Sequence, residues 1–197
     1  MDTHTTTSEH IEKKKNSGGI GELIRFAVIA LLIVIPIRVF VAQPFIVSGT
    51  SMVPTFENRD YLIVDELSYR FHDPHRGDVV VFRYPKDPSK FFIKRIIGLP
   101  GETLSIDSEG IVTIVNAETP EGFILDEPYV KNIQAVSYPE IQLSENQYFT
   151  MGDNRSGSSD SRTWGTLPKK NIVGQAFLRL IPFSHASVRP GDHDFIY

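Results

Sequence analysis

Hydrophobic and polar positions divide the chain into two regions. Residues 26–37, FAVIALLIVIPI, are apolar without interruption and lie between Arg25 and Arg38. Because the run is apolar on every face, it favours a membrane helix over a helix buried on one side. At helical rise it covers about 18 Å, less than the roughly 30 Å of a bilayer core. We therefore predict that both arginines extend to the headgroups and that a transmembrane helix occupies residues 20–43.

The flanks of this helix predict its orientation. Three lysines, Lys13 to Lys15, precede it, whereas Arg59 is the only Lys or Arg in residues 42–60. This bias predicts that the N-terminus lies in the cytoplasm and that the residues after about 43 lie outside the cell membrane. Residues 1–19 are polar and free of aromatic residues, which predicts a disordered cytoplasmic tail. A cleaved signal peptide fits less well, because bulky residues follow the apolar run.

The second region, residues 44–197, has the pattern of a β domain. Apolar or β-branched runs alternate with clusters of Gly, Pro, Asp and Asn, and no helical period follows the membrane segment. The predicted strands are 61–66, 78–84, 91–97, 110–115, 147–151 and 171–183. The long polar segment 106–146 begins with a hairpin turn at 107–110 and is predicted to be a β extension or a lid. The fold class is therefore mainly β, behind one N-terminal transmembrane helix.

Composition excludes several kinds of function. The chain has no cysteine, so disulfides, thiolate catalysis and cysteine-based metal sites are excluded. The net charge is −4, which gives no indication of a nucleic-acid partner. The sequence also lacks a stripe of basic residues of the kind that binds nucleic acid. His72 and His75 have a spacing that could chelate a metal, but no further His or Cys completes a site.

The stretch FFIKRIIGLPGE, residues 91–102, contains an unusual lysine. Side chains alternate across a strand, so Lys94 shares a face with Phe92 and Ile96, while Arg95 lies on the opposite face. A lysine in an apolar site loses its charge and becomes a base. In the alternative interpretation the strand is an edge strand, Lys94 reaches water along its stem, and Arg95 pairs with a carboxylate.

A neutral lysine suggests a search for a hydroxyl that it could activate. Ser51, in SGTSMVPTF (residues 48–56), lies between Gly49 and Pro54 in a stiff loop and is a candidate nucleophile for a Ser-Lys pair. A second charged motif, GDNRSGSSDSRTWG, spans residues 152–165 and has acids and bases at spacings that predict bidentate ion pairs. A serine of this motif, Ser158 or Ser159, is a candidate partner for the amine.

Four segments resemble, in their order along the chain, the sequence motifs, called boxes, of the bacterial type I signal peptidases. SGTSMVPT resembles the serine box, RGDVVVF (76–82) a structural box, KRIIGLPGE the lysine box and GDNRSGSSDSR the C-terminal box. The resemblance implies a coiled, LexA-like β-sheet fold. It also implies Ser51 as nucleophile and oxyanion donor through its backbone N–H, Lys94 as general base, and Ser158 as the residue that orients the lysine. Four further residues are implied to support the site: Asp153, Arg155, Asp160 and Arg162. Four others are implied to line the substrate pockets: Phe45, Val47, Phe56 and Ile93.

The implied function is removal of signal peptides from secreted preproteins by a membrane-bound serine endopeptidase. Its implied partners are those preproteins, the lipid bilayer and, as a candidate, the secretion translocon; no metal or cofactor is needed. Gly49 departs from family members that carry a serine there, which leaves the second oxyanion donor open. Three rivals remain: a self-cleaving Ser-Lys protease of the repressor type, a membrane-anchored binding module, and a hydrolase that uses His72 or His75 as base.

Overall fold

The computed structural model describes residues 19–40, 42–193 and 195, which form two compact units divided after Ile37. Helix α1 (Gly19–Phe40) belongs to the first unit as far as Ile37, and its apolar side chains from Ile20 to Ile35 are exposed. Among the described residues, no helix has both the length and the apolar character required to cross a membrane. The transmembrane helix predicted from the sequence is therefore not confirmed. The predicted tail lies, apart from Gly19, outside the described residues.

The second unit consists mainly of antiparallel β-strands, as predicted. The strands are β1 (Ala42–Ile46), β2 (Tyr61–Asp65), β3 (Val79–Tyr84), β4 (Asp87–Gly98), β5 (Thr103–Ile106), β6 (Val112–Val115), β7 (Phe123–Ile124), β8 (Tyr138–Gln142), β9 (Gln147–Met151), β10 (Leu167–Pro168), β11 (Ile172–Ile181) and β12 (Ser187–Val188). One short helix, α2 (Ser161–Trp164), and four 3₁₀ turns, Ser68–Arg70, Arg155–Gly157, Lys169–Asn171 and Phe183–His185, complete the described elements.

The larger sheet has eight strands and brings the lysine segment and the 152–165 motif together. Its order is β1-β2-β11-β3-β4-β9-β10, and β12 pairs with β11. The long strand β11 changes register twice against β2, between Ala176 and Leu178 and between Arg179 and Ile181, and once against β3, between Ile172 and Gly174. Such irregularities bend a strand. Because β4 lies between β3 and β9, it brings the lysine segment beside the start of the 152–165 motif.

The segment from 106 to 146 contributes most of a smaller, four-stranded sheet with the order β7-β6-β5-β8. The turn between β5 and β6 contains Gly110, whose φ of 85° suits glycine, and its N–H donates to Asp107 O at 3.1 Å. Leu104, Ile106, Val112 and Ile114 of this sheet pack with Ile97 and Phe149 of the larger sheet in one apolar cluster. This shared core joins the two sheets.

Strand β4 separates two environments around adjacent cations. Lys94 lies opposite Val80 and shares its face with Phe92 and Ile96, beside an apolar cluster that contains Val80 and Phe82. Arg95 lies on the opposite face and is completely buried. Both cations of the lysine segment are therefore removed from solvent, and each needs its own compensation.

Candidate active site

The serine and the lysine singled out by the sequence are hydrogen-bonded to each other. Lys94 Nζ lies 2.7 Å from Ser51 Oγ, although 43 positions separate the two residues. The amine also donates to the backbone carbonyl of Ile93 at 2.8 Å. The Lys94 nitrogen is therefore held within hydrogen-bonding distance of the serine hydroxyl, which is the geometry that a general base requires.

Burial changes the acid–base behaviour of Lys94. Its side chain is 4% exposed, and its nitrogen lies 5.4 Å from the centre of the Phe92 ring. Loss of hydration lowers the pKa of Lys94 from 10.5 to about 8, against the opposing attraction of Asp160 and Asp153. A substantial fraction of the amine is therefore neutral just above neutral pH, and a neutral amine can accept a proton from a hydroxyl.

The loop that carries Ser51 is held by hydrogen bonds to Asn58 and Asn154. Gly49 adopts a φ of 104°, which favours glycine, and its N–H donates to Asn58 Oδ1 at 3.1 Å. Asn154 donates from its backbone N–H to Ser51 O and from its side chain to Thr50 O, both at 3.0 Å. Within the described part of the chain the N–H of Ser51 has no acceptor, so it is available to an oxyanion.

Gly152 allows the 152–165 motif to approach the serine loop closely. A Cβ at this position would lie 2.4 Å from Ser51 O and 2.3 Å from Ser158 Oγ, distances at which atoms clash. Ser158 therefore lies in the wall beside the serine, as its place in the motif suggests. Its buried hydroxyl has no hydrogen-bond partner among the described residues, however, and the described bonds of Lys94 do not include it.

Asp153 links the serine loop to the lysine-bearing strand β4. Its carboxylate accepts from Arg95 Nε at 2.9 Å and from Arg95 Nη2 at 2.7 Å, and it also accepts the hydroxyl of Thr55. The pair is almost completely buried. Arg95 donates further to the carbonyls of Gly77 and Gly191, so its charge is well compensated.

The other ion pairs of the motif differ partly from the sequence prediction. Asp160 and Arg162 form a bidentate pair at 2.8 and 2.7 Å, and Asp160 Oδ2 also accepts the Gly152 N–H at 3.0 Å. Arg155, by contrast, pairs with Glu127 from the 106–146 segment. The predicted pairing within the motif is therefore correct for one acid–base pair, while Asp153 and Arg155 find partners elsewhere in the chain.

A cleft of about 630 Å³ opens at Ser51 and Lys94. Three of the predicted substrate-contacting residues, Phe45, Val47 and Ile93, line it. Phe56 does not line it, because its side chain turns inward and packs with Met52 and Leu62 in a core cluster. The prediction that Phe56 lines a substrate pocket stays a prediction, and in this structure the residue packs against Met52 of the serine loop.

Sequence reasoning did not single out Glu127, Thr55 or Asn154. Each makes its contact with a residue at least 28 positions away, so no local spacing indicates the partner. The two histidines considered as alternative bases, His72 and His75, lie in a different depression with Arg76 and Asp78. Neither lines the cleft at Ser51.

Comparison with known proteins agrees with the motif order. The family model "Signal peptidase, peptidase S26" matches residues 20–181. A Synechocystis sp. protein named "Probable signal peptidase I-1" is 39% identical over 172 residues, which cover 84% of each chain. "Signal peptidase I S" of Bacillus subtilis is 33% identical over 189 residues, 90% of this chain and 96% of that protein. The chain therefore belongs to the bacterial type I signal peptidases, a family of serine endopeptidases.

Proposed function

We propose that this protein removes N-terminal signal peptides from secreted preproteins by a Ser-Lys mechanism, with Ser51 as nucleophile and Lys94 as general base. The observation that carries the proposal is the 2.7 Å contact between Lys94 Nζ and Ser51 Oγ in a buried setting. The lowered pKa of Lys94, about 8, supports the same assignment, since it provides a neutral amine near physiological pH.

In the first half of the reaction, Ser51 Oγ bonds to the carbonyl carbon of the last signal-peptide residue while its proton passes to Lys94 Nζ. The Ser51 N–H stabilises the resulting oxyanion, with a second donor that the described contacts do not identify. The carbon–nitrogen bond of the peptide then breaks, and the Lys94 ammonium protonates the departing amine. The product is an acyl-enzyme and a free mature N-terminus.

In the second half, Lys94 is neutral again and takes a proton from water as the water attacks the acyl carbon. The ester bond breaks, Ser51 Oγ recovers its proton from Lys94, and the signal peptide leaves as a carboxylic acid. In this scheme Asp153, Asp160 and Arg162 hold the wall of the site, and Ser158 orients the amine when its hydroxyl turns toward Lys94. All proton transfers occur between groups of this chain, the peptide and water.

The strand edges around the cleft support an extended substrate. Strand β1 ends the larger sheet, and β9 pairs with β4 only from Arg95 to Gly98. The backbone of β4 before Arg95 and that of β1 can therefore hydrogen-bond a peptide laid in the cleft. Val47, Ile93 and Phe45 give this cleft apolar walls, which suits small apolar side chains at substrate positions −1 and −3.

We further infer that α1 holds the enzyme at the lipid bilayer, with its N-terminus in the cytoplasm and the catalytic domain outside. Support comes from the exposure of apolar side chains along the helix, for example Phe26 at 79% and Leu32 at 68%. If this is correct, alkaline carbonate will not extract the full-length protein from membranes, and protease added outside spheroplasts will cleave the catalytic domain. Extraction by carbonate would contradict it.

The function is tested by cleavage of a preprotein with an Ala-x-Ala site in detergent. Wild type is expected to cut after the second alanine. Ser51→Ala and Lys94→Ala, once shown to be folded by circular dichroism, are expected to lose activity by a factor of ~10³ or more, as at other serine-protease sites. Ser156→Ala, an exposed serine of the same motif, is the matched control and should retain activity. Cleavage by Lys94→Ala at the wild-type rate would assign the base elsewhere.

A further inference from the structure

The cleft extends beyond the pockets next to the catalytic pair. At its outer end the rings of Phe45, on β1, and Phe91, on β4, face each other with centroids 5.3 Å apart and planes at 59°. We call these two residues the outer aromatic pair. Phe91 is 40% exposed and Phe45 is partly exposed, so a considerable ring area borders the cleft.

The outer aromatic pair is held in place from the side away from the cleft. The guanidinium of Arg83 lies over the Phe91 ring at 4.7 Å and donates to Pro88 O at 3.3 Å. The two phenylalanines belong to β1 and β4, which occupy different positions in the larger sheet and are not neighbours there. The rings therefore bridge the two strand edges between which the substrate is proposed to lie.

Strand geometry relates this pair to one substrate position. Phe91 lies two residues before Ile93 on β4, so both side chains lie on the same face, about 7 Å apart along the strand, and both line the cleft. A peptide extended from the attacked carbonyl places its −5 residue about 13 Å from its −1 residue. Because side chains alternate, those at −1, −3 and −5 point to the same side, so −5 is the next one to meet the cleft wall after −3.

We propose that the outer aromatic pair is a specificity site that selects an apolar side chain at position −5 of the signal peptide, a conclusion that rests on the function proposed above. Contact between such a side chain and the two rings removes apolar surface from water. Lys90, which precedes Phe91 on β4, lines the cleft, so a basic side chain at −5 lies near a like charge that Asp87 offsets only in part. The site thereby reads the substrate beyond its two small residues.

The experiment uses the full-length protein in detergent and three peptides that share Ala at −1 and −3 and carry Leu, Ser or Lys at −5. Wild type is expected to show a kcat/KM for the Leu peptide about tenfold above that for the Ser peptide, the size of one lost apolar contact, with the Lys peptide lowest. The difference should appear mainly in KM, because the pair is remote from the reacting atoms.

The variants separate the pair from the rest of the cleft. In Phe91→Ala the Leu-to-Ser ratio should fall to about 2 or less, within the range of a single truncated contact, while Phe91→Leu should retain part of the preference. Phe71→Ala is the matched control, since Phe71 is 80% exposed and does not line the cleft, and it should keep the wild-type ratio. Equal cleavage of the Leu and Ser peptides by wild type, or an unchanged ratio in Phe91→Ala, would overturn this inference alone. Failure of wild type to cut any peptide would overturn the proposed function as well.

Discussion

Lys94 combines two properties that conflict in most proteins, burial and a titratable charge. The alternation of apolar residues around it predicts that burial, since Phe92 and Ile96 share its face and pack in one cluster. The alternative, an amine that reaches water from an edge strand, is wrong, because the side chain is 4% exposed and hydrogen-bonds Ser51 instead. The cause of the lowered pKa is thus readable from the sequence, but the partner is not.

The buried amine should lower the stability of the fold at neutral pH. The unfolded lysine has a pKa of 10.5 and the folded one about 8, so the unfolded state binds more protons between these values and stability rises with pH there. Below pH 8 the folded state carries the full penalty, up to about 3 kcal/mol for a shift of this size. Lys94→Met should therefore raise the free energy of unfolding at pH 7 and have little effect by about pH 10.5.

Urea unfolding of wild type and Lys94→Met at pH 7 and pH 10.5 measures this difference. The exposed Lys131 supplies the control, since Lys131→Met should change stability little at either pH. If Lys94→Met stabilised the protein equally at both pH values, the penalty would not come from protonation of the amine.

Two residue assignments show where the sequence is insufficient. Phe56 lies in a loop whose turn points its ring into the core, and residue type alone does not reveal that direction. The hydroxyl of Ser158 lies near Gly152, yet its hydrogen-bonding depends on side-chain rotation, which the motif spacing does not encode. Both residues belong to the correct region, and only the fold distinguishes support from direct contact.

At the scale of elements, Asp153 joins the serine loop to β4. Asp153→Asn leaves Arg95 buried with an incomplete partner, which typically costs about 3–5 kcal/mol of stability. It also removes a negative charge that raises the pKa of Lys94. The variant should therefore unfold at lower temperature, cleave more slowly, and reach half of its maximal kcat/KM at a lower pH than wild type.

Thermal unfolding and a pH profile of cleavage test these effects together. Asp73→Asn is the control, because Asp73 pairs with Lys169 on the surface, where an ion pair contributes at most about 1 kcal/mol. A merely structural role for Asp153 would lower the melting temperature and leave the midpoint of the pH profile in place.

Six of the described strands were predictable from the sequence, whereas β1 and β8 were not. Six apolar runs predicted β2, β3, β4, β6, β9 and β11 within a few residues, because each has β-branched or aromatic residues between turn signals. Strand β1 contains Pro44 and β8 contains Pro139, and proline is rare inside strands because it has no N–H to donate to a neighbour. Both are the last strands of their sheets, where a missing N–H is tolerated.

At the scale of the whole molecule, the smaller sheet and the active-site motif are connected through Glu127. Its carboxylate accepts from both terminal nitrogens of Arg155, and Arg155 Nε in turn donates to Gly152 O at 3.2 Å. Ser156 N–H donates to Asn132 O and Arg162 donates to Gln134, so the segment 127–134 contacts this motif repeatedly. We expect this segment to keep the wall of the active site in position.

Glu127→Gln should therefore lower both the melting temperature and kcat, because Arg155 is 3% exposed and would keep its charge without a carboxylate. The double variant Glu127→Gln/Arg155→Met should be less destabilised than the sum of the single changes, since the second removes the unpaired charge. Glu140→Gln, an exposed glutamate of β8, is the matched control. Additive losses in the cycle would show that the two side chains are not coupled.

The order of the motifs along the chain predicted the family and the meeting of Ser51 with Lys94. The links that hold them did not follow from it, because Glu127 with Arg155 and Thr55 with Asp153 join segments that are far apart in sequence. Such partners depend on how the two sheets share one core, which is a property of the complete fold.

The central claim, that the neutral amine of Lys94 activates Ser51, is tested most directly by the pH dependence of kcat/KM. Wild type should be measured from pH 6 to pH 10 on an Ala-x-Ala preprotein, with Ser51→Ala as the blank. We predict a rate that rises with pH and is half-maximal near pH 8, where the amine loses its proton. A flat profile, or a midpoint at about pH 6.5, the pKa of an ordinary histidine, would contradict the account.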